Sequence, residues 1–81
     1  MSLQLRIVTP ERIVFEGQIE SVSAPGTQGR FEILNNHAPI ISALKAGNII
    51  YNTADARQEL SIVGGFIHVV NNIVSLCVEL R

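Results

Sequence analysis

Apolar and polar residues alternate along much of this chain, which is the pattern of β-strands with one buried face. The alternation is strict from Leu3 to Ile7, and a similar pattern returns from Ile73 to Leu80. No segment has its apolar residues at helical spacing. The pattern therefore predicts short strands from one end of the chain to the other.

Turn residues divide these strands, most densely between Pro25 and Gly47. Glycine and asparagine tolerate positive φ values and proline fixes φ, so these residues mark reversals of the chain. The turns separate roughly eight to ten short strands. We therefore expect a single domain over residues 1–81 with an all-β fold, an antiparallel β-sandwich of about ten short strands.

The glycine pair Gly64-Gly65 lies inside apolar sequence, after a strand predicted from Leu60 to Val63, and the segment Phe66 to Val70 continues on its far side. Glycines in such a segment pack no side chain, and they usually mark a bulge, a bend or the close approach of another backbone. Another strand is predicted from Gln18 to Ala24. Cys77, in the last strand, is interpreted as a small buried hydrophobic residue.

The composition is apolar for so small a domain, with 47% hydrophobic and only 16% charged residues. A domain of this size buries only about 60% of the surface that its unfolded chain exposes, so its core is thin. Some apolar side chains must therefore stay on the surface. A contiguous patch of them usually marks a binding site for another protein, and we expect such a patch here.

The charge pattern and the single cysteine argue against several classes of protein. The net charge is −1 and no basic cluster occurs, so a nucleic-acid partner is not expected. Cys77 cannot form an internal disulfide and fits a reducing compartment. No signal-peptide pattern is present, and no apolar run approaches the roughly 20 residues of a membrane-spanning helix. Direct membrane insertion is therefore not expected either.

The chemically capable residues do not form a recognisable catalytic or metal site. His37 and His68 could serve as acid–base groups or metal ligands, but a zinc site needs three or four ligands at short spacing. Serines and threonines occur without a nucleophile motif. Gly26 and Gly29 resemble part of a phosphate-binding loop, but a strand rather than a helix follows them. No metal, cofactor or catalytic residue is predicted.

Four blocks of the sequence resemble the epsilon subunit of the bacterial F-type ATP synthase. The most specific block runs from Pro25 to Gly47 and contains the tripeptide His37-Ala38-Pro39. The other three blocks are Ile7 to Glu11, Phe15-Glu16-Gly17 and Gly64-Gly65-Phe66. All four follow the family's order, and the resemblance covers essentially the whole chain.

This resemblance implies a flattened ten-stranded β-sandwich and a role as a non-catalytic rotor subunit. Such a subunit packs on the gamma subunit and the c-ring at the cytoplasmic face of the bacterial cell membrane. It couples proton translocation to ATP synthesis. Typical family members continue into a helical hairpin that has no counterpart in these 81 residues, so ATP binding is not expected.

The resemblance also implies two sets of interface residues. The residues expected to face the c-ring are Gln28, Gly29, Arg30 and His37. The residues expected to face the gamma subunit are Thr9, Ile41, Ser42 and Asn48. Family members commonly carry an acidic or neutral residue at the position of Arg30, so the c-ring loop opposite it is expected to differ in charge.

Two other functions stay open on the sequence. A free-standing β-sandwich adaptor or ligand-binding module would be favoured by a large closed apolar pocket, whereas a broad apolar face favours the rotor subunit. A small hydrolase would need a charged cleft, for which the sequence offers no constituents.

Overall fold

The computed structural model of this chain describes residues 3–81, which form eight β-strands. Their bounds are β1 Leu3–Val8, β2 Ile13–Ile19, β3 Ser21–Gly26, β4 Gly29–Ile33, β5 Ile40–Leu44, β6 Gly47–Asn52, β7 Arg57–Val70 and β8 Ile73–Leu80. The predicted all-β fold is confirmed, with eight strands rather than ten. None of the described residues forms a helix that could cross a membrane.

The strands form two layers that share β7. The C-terminal part of β7 pairs with β5 and β8, and β8 continues the first layer through β1 to β2. The N-terminal part of β7 pairs with β6, which leads through β3 to β4 in the second layer. The molecule measures 31 × 25 × 19 Å, the dimensions of a flattened sandwich.

One strand pair departs from the predicted antiparallel arrangement. β1 and β8 pair in parallel, with Leu5 beside Val74 and Ile7 beside Leu76. A parallel pair needs a long connection between its strands, and here nearly the whole chain lies between them. The first and last strands are therefore neighbours in the middle of one layer.

The core lies between the two layers, on the faces that the alternating pattern predicts. In the first layer, Leu5, Val74 and Val69 form one continuous row of buried side chains across three strands. In the second layer, Val22 and Tyr51 are buried cross-strand partners. Each fully buried aliphatic side chain stabilises the fold by about 1.5–3 kcal/mol relative to exposure.

The glycine pair lies inside a single 14-residue strand, which continues past it to Val70. A β-bulge between Ile62 and Gly64 leaves Val63 unpaired with β8, and pairing resumes at once. Gly65 has a φ of 152°, and a Cβ there would lie only 2.3 Å from the carbonyl oxygen of Cys77. The interpretation of the pair as a bulge with a close backbone approach is thus confirmed.

Two further expectations are corrected by the layer structure. The strand predicted from Gln18 to Ala24 divides at Glu20, because the chain leaves the first layer after β2 and enters the second as β3. Cys77 is exposed rather than buried. It faces outward because its neighbours Leu76 and Val78 occupy the buried positions of β8.

We predict that Gly65→Ala lowers the free energy of unfolding by about 3 kcal/mol, since the added Cβ meets a backbone carbonyl at a φ that alanine rarely adopts. Urea unfolding followed by circular dichroism measures this loss. Gly64→Ala is the matched control, because a Cβ at Gly64 makes only an ordinary 3.5 Å contact with the Leu44 carbonyl oxygen. Equal losses in the two variants would contradict the assignment of the constraint to Gly65.

Candidate functional site

The outer surface of the first layer carries most of the exposed large hydrophobic side chains. Cross-strand pairing places Ala43, Phe66, Cys77, Val8 and Ile13 in one row across five strands. Of these, Phe66 is 61% exposed and Ile13 is 49% exposed. Ile41, in the neighbouring row, is 75% exposed, the highest value among the large hydrophobic residues of the described chain. We call this surface the apolar face, defined by Val8, Ile13, Ile41, Phe66 and Ile73.

A groove of about 550 Å³ opens at one end of the apolar face. It exists because Gly64 and Gly65 present bare backbone between the larger side chains of Val63 and Phe66. The opposite wall is made by Val8, Thr9 and Pro10. A groove with an apolar lining and no enclosed volume suits a protruding side chain of another protein better than a free small molecule.

The middle row of the same surface is more polar. It contains Ile41, His68, Ser75, Arg6 and Glu16 on successive strands. Arg6 and Glu16 form an exposed ion pair with 3.7 Å between Nε and Oε2, which contributes little to stability. A shallower groove of about 330 Å³ beside this row is lined by Pro39, Ile40, Ile41, His68 and Val70.

The outer surface of the second layer is different, because its polar side chains bond to one another. The Arg30 guanidinium donates to Ser23 Oγ at 2.7 Å and to the carbonyl oxygen of Asn48. The Asn48 side chain donates to Glu59 Oε1 at 3.2 Å and accepts from Ser61 Oγ at 2.8 Å. The polar side chains of this surface are therefore hydrogen-bonded within the chain, whereas the exposed hydrophobic side chains of the apolar face make no such bonds.

The structure separates the residues that the resemblance assigns to the gamma subunit. Ile41 lies on the apolar face, and Thr9 lines the large groove at its end. Ser42 pairs with the buried Ile67 and turns its hydroxyl toward the Ala43 carbonyl oxygen, at 3.3 Å. Asn48 lies on the opposite surface beside Arg30. Only Thr9 and Ile41 lie on the same surface, at separate places, because sequence spacing does not tell which layer a residue joins.

The residues assigned to the c-ring are also divided between two ends of the molecule. Gln28, Gly29 and Arg30 lie at or beside the exposed turn between β3 and β4. His37 donates its backbone N–H to Leu34 O, just beyond the far end of β4. A strand of five residues spans about 13 Å, so His37 does not share a surface with Gln28.

The turn between β5 and β6 lies at the same end of the sandwich as Gln28. Thr27 N donates to Ala43 O at 3.1 Å, and Lys45 N donates to Pro25 O at 2.9 Å. These bonds hold the β3–β4 turn against the β5–β6 turn, which exposes Lys45 and Ala46. Sequence reasoning assigned no interface role to this second turn, and only the long-range pairing of β3 with β5 reveals it.

The metal-ligating side chains and the buried phenol of Tyr51 are placed as follows in the described residues. No three His, Cys, Asp or Glu side chains within residues 3–81 are grouped closely enough to hold a metal ion. Burial raises the pKa of the Tyr51 hydroxyl above its ordinary value, because desolvation disfavours the phenolate. Tyr51 packs against Phe15, with 4.7 Å between ring centroids, and serves the core.

Comparison with protein families gives one match that spans nearly the whole chain. The model of the ATP synthase delta/epsilon chain beta-sandwich domain matches residues 2–80. Curated relatives called ATP synthase epsilon chain include one from Nitratidesulfovibrio vulgaris, 41% identical over 96% of this chain and 58% of its own length. One from Chlorobaculum tepidum is 42% identical over 93% of this chain and 86% of its own length. The chain thus spans little more than half of some relatives and most of others.

Two solved structures share the fold at low sequence identity. A chain of the Euglena gracilis mitochondrial ATP synthase, solved with OSCP, F1 and the c-ring, matches with a TM-score of 0.90 and 16% identity. This match covers 95% of our chain and 50% of that one. A chain of the Tetrahymena thermophila mitochondrial enzyme, from its central stalk and c-ring, matches with a TM-score of 0.82 and 14% identity over 98% and 64% of the two chains.

We predict that Arg30→Gln lowers the free energy of unfolding by about 1 kcal/mol, because it removes the guanidinium bonds to Ser23 and Asn48. Chemical denaturation measures the difference. Arg12→Gln is the control, since the described residues give the Arg12 side chain no hydrogen-bond or ion-pair partner. If both variants were as stable as the wild type, the bonds of the Arg30 guanidinium to Ser23 and Asn48 would not stabilise the fold in solution.

Proposed function

This chain belongs to the family of ATP synthase delta and epsilon chain β-sandwich domains, and we propose that it acts as a non-catalytic subunit of the central stalk. In this role it packs on the gamma subunit and the c-ring and couples proton translocation to ATP synthesis. It lies at the cytoplasmic face of the bacterial cell membrane as a peripheral part of the complex.

The apolar face is the observation that supports this proposal most directly. A small domain rarely leaves side chains as large as Ile41 and Phe66 well exposed on one surface unless another protein covers them. Covering them transfers apolar area out of water, and the groove beside Phe66 gives a partner side chain a place to insert. We assign this face to the gamma subunit, with Thr9 at its margin.

A rotor subunit transmits torque, so it needs a stiff body and wide contacts rather than a reactive group. The described residues supply such a body, because two layers of strands close on a core that leaves no buried side-chain polar atom without a partner.

The end of the sandwich that bears the two joined turns is assigned to the c-ring. Thr27, Gln28, Lys45 and Ala46 are all exposed there, and the two backbone hydrogen bonds fix their relative positions. Arg30 is less available for this contact than the resemblance implies, because its guanidinium is bonded within the chain.

The alternative, a free-standing adaptor or ligand-binding module, receives less support. Its expected mark is a large closed apolar pocket, whereas the groove beside Phe66 is open to solvent along the apolar face. That groove is continuous with exposed hydrophobic residues and has the form of a contact surface.

We predict that Ile41→Asp weakens binding to the gamma subunit by about 100-fold, because docking would bury a carboxylate without a partner. Titration calorimetry with purified gamma subunit measures the affinity and the expected one-to-one stoichiometry. Leu34→Asp is the control, since Leu34 is also an exposed aliphatic residue but follows β4 in the other layer. Undiminished binding by the Ile41 variant would exclude the apolar face as the gamma-binding surface.

We predict that Gln28→Cys, in a Cys77→Ser background, forms a disulfide with a cysteine placed in the polar loop of the c subunit. Disulfides need Cα atoms within about 7 Å, so the bond reports direct contact. Asp55→Cys is the control, because the β6–β7 turn lies at the opposite end of β6 from Gly47 and the joined turns. Cross-linking of the Asp55 variant alone, read on a non-reducing gel of membranes, would reverse the proposed orientation.

A further inference from the structure

His68 stands exposed near the middle of the apolar face, among neighbours that are mostly apolar. Its cross-strand partners are Ile41 on β5 and Ser75 on β8. Phe66 and Val70 flank it on the same side of β7. Side chains directly opposite each other on neighbouring strands, such as Ile41 and His68, have Cβ atoms about 5 Å apart. Phe66 is the adjacent outward-facing side chain along β7, so a partner that covers Ile41 and Phe66 also covers the imidazole.

The shallow groove beside His68 provides independent evidence for this environment. Its lining consists of Pro39, Ile40, Ile41, His68 and Val70, and the imidazole is the one titratable side chain among them. A partner seated in this groove would take the imidazole out of water. The groove itself offers no carboxylate to compensate a positive charge there.

Neither strand beside His68 places a carboxylate directly opposite it. β5 presents no ionisable residue, and β8 presents Cys77 in the next row and Glu79 beyond it. Arg6 follows Ser75 on β1, about 10 Å from His68 at the usual spacing of strands, and its nearest carboxylate is Glu16. His37 lies past Pro39, at the end of the sandwich, with its ring bonded to the Ala38 carbonyl oxygen.

We propose that docking of the gamma subunit on the apolar face is linked to the protonation of His68 and weakens as the pH falls. This inference rests on the proposed function. Histidine side chains gain a proton between about pH 8 and pH 5. Covering a protonated His68 would remove a cation from water without a compensating partner from this chain.

The direction of the effect follows from proton counting. If the docked complex holds His68 neutral, it binds fewer protons than the free subunits do, so acid favours dissociation. The affinity is then constant at alkaline pH and declines as the pH falls through the range in which histidine side chains gain a proton. From pH 8 to pH 5.5 the dissociation constant should rise about tenfold.

The test compares the dissociation constant of purified gamma subunit for four forms of this chain at pH 8 and pH 5.5. The wild type should lose about tenfold in affinity at the lower pH, whereas His68→Gln, which is neutral at both, should lose much less. His37→Gln is the matched control and should keep the wild-type dependence. His68→Lys, a permanent cation, should bind weakly at both pH values.

The possible results separate the two proposals. If the wild type binds tightly at pH 8 but shares its pH dependence with His68→Gln, the gamma-binding role stands and the role of His68 is overturned. If His68→Lys binds as tightly as the wild type at pH 8, a charge at this position is tolerated and the inference also fails. If the wild type does not bind the gamma subunit at pH 8, the proposed function fails, and the inference fails with it.

Discussion

The architecture depends on β7, the one strand that belongs to both layers. Its first part bonds to β6 and its second part bonds to β5 and β8, so a single 14-residue strand is hydrogen-bonded into both layers. The strand can pass between the layers because a bulge follows Ile62 and because Gly65 brings no side chain against the β8 backbone. This close backbone contact lies within the first layer, between the neighbouring strands β7 and β8.

The same glycines shape the surface as well as the fold. A position that must stay bare for the approach of β8 also leaves a gap on the outside, and the groove between Phe66 and the end of β1 is that gap. The same two glycines are therefore required both by the fold and by the candidate binding surface. A larger side chain at Gly65 would disturb the pairing of β7 with β8, and the apolar face would lose the groove beside Phe66.

The two outer surfaces show how a domain with a thin core can be stable and still bind another protein. A two-layer sandwich of this length has enough apolar residues to fill the space between its layers, with several remaining. On the second layer, Arg30, Asn48 and Glu59 bond to one another, so that surface needs no partner. The remaining large hydrophobic side chains concentrate on the first layer, where binding another protein would remove them from water.

The sequence alone determined the fold class and the buried face of most strands, because side-chain direction alternates along a strand whatever its neighbours are. It also identified the glycine pair as a bulge and the turns that end most of the strands, since these depend on local backbone preferences. The family resemblance rested on the same local blocks, and the match over residues 2–80 confirms it. Tertiary structure decided the rest. The parallel pairing of β1 with β8, the outward position of Cys77, the placement of Asn48 beside Arg30 and the distance between His37 and Gln28 all depend on contacts between residues remote in sequence. Spacing along the chain carries no information about which layer a strand joins, because that choice is made by burial of the whole core at once.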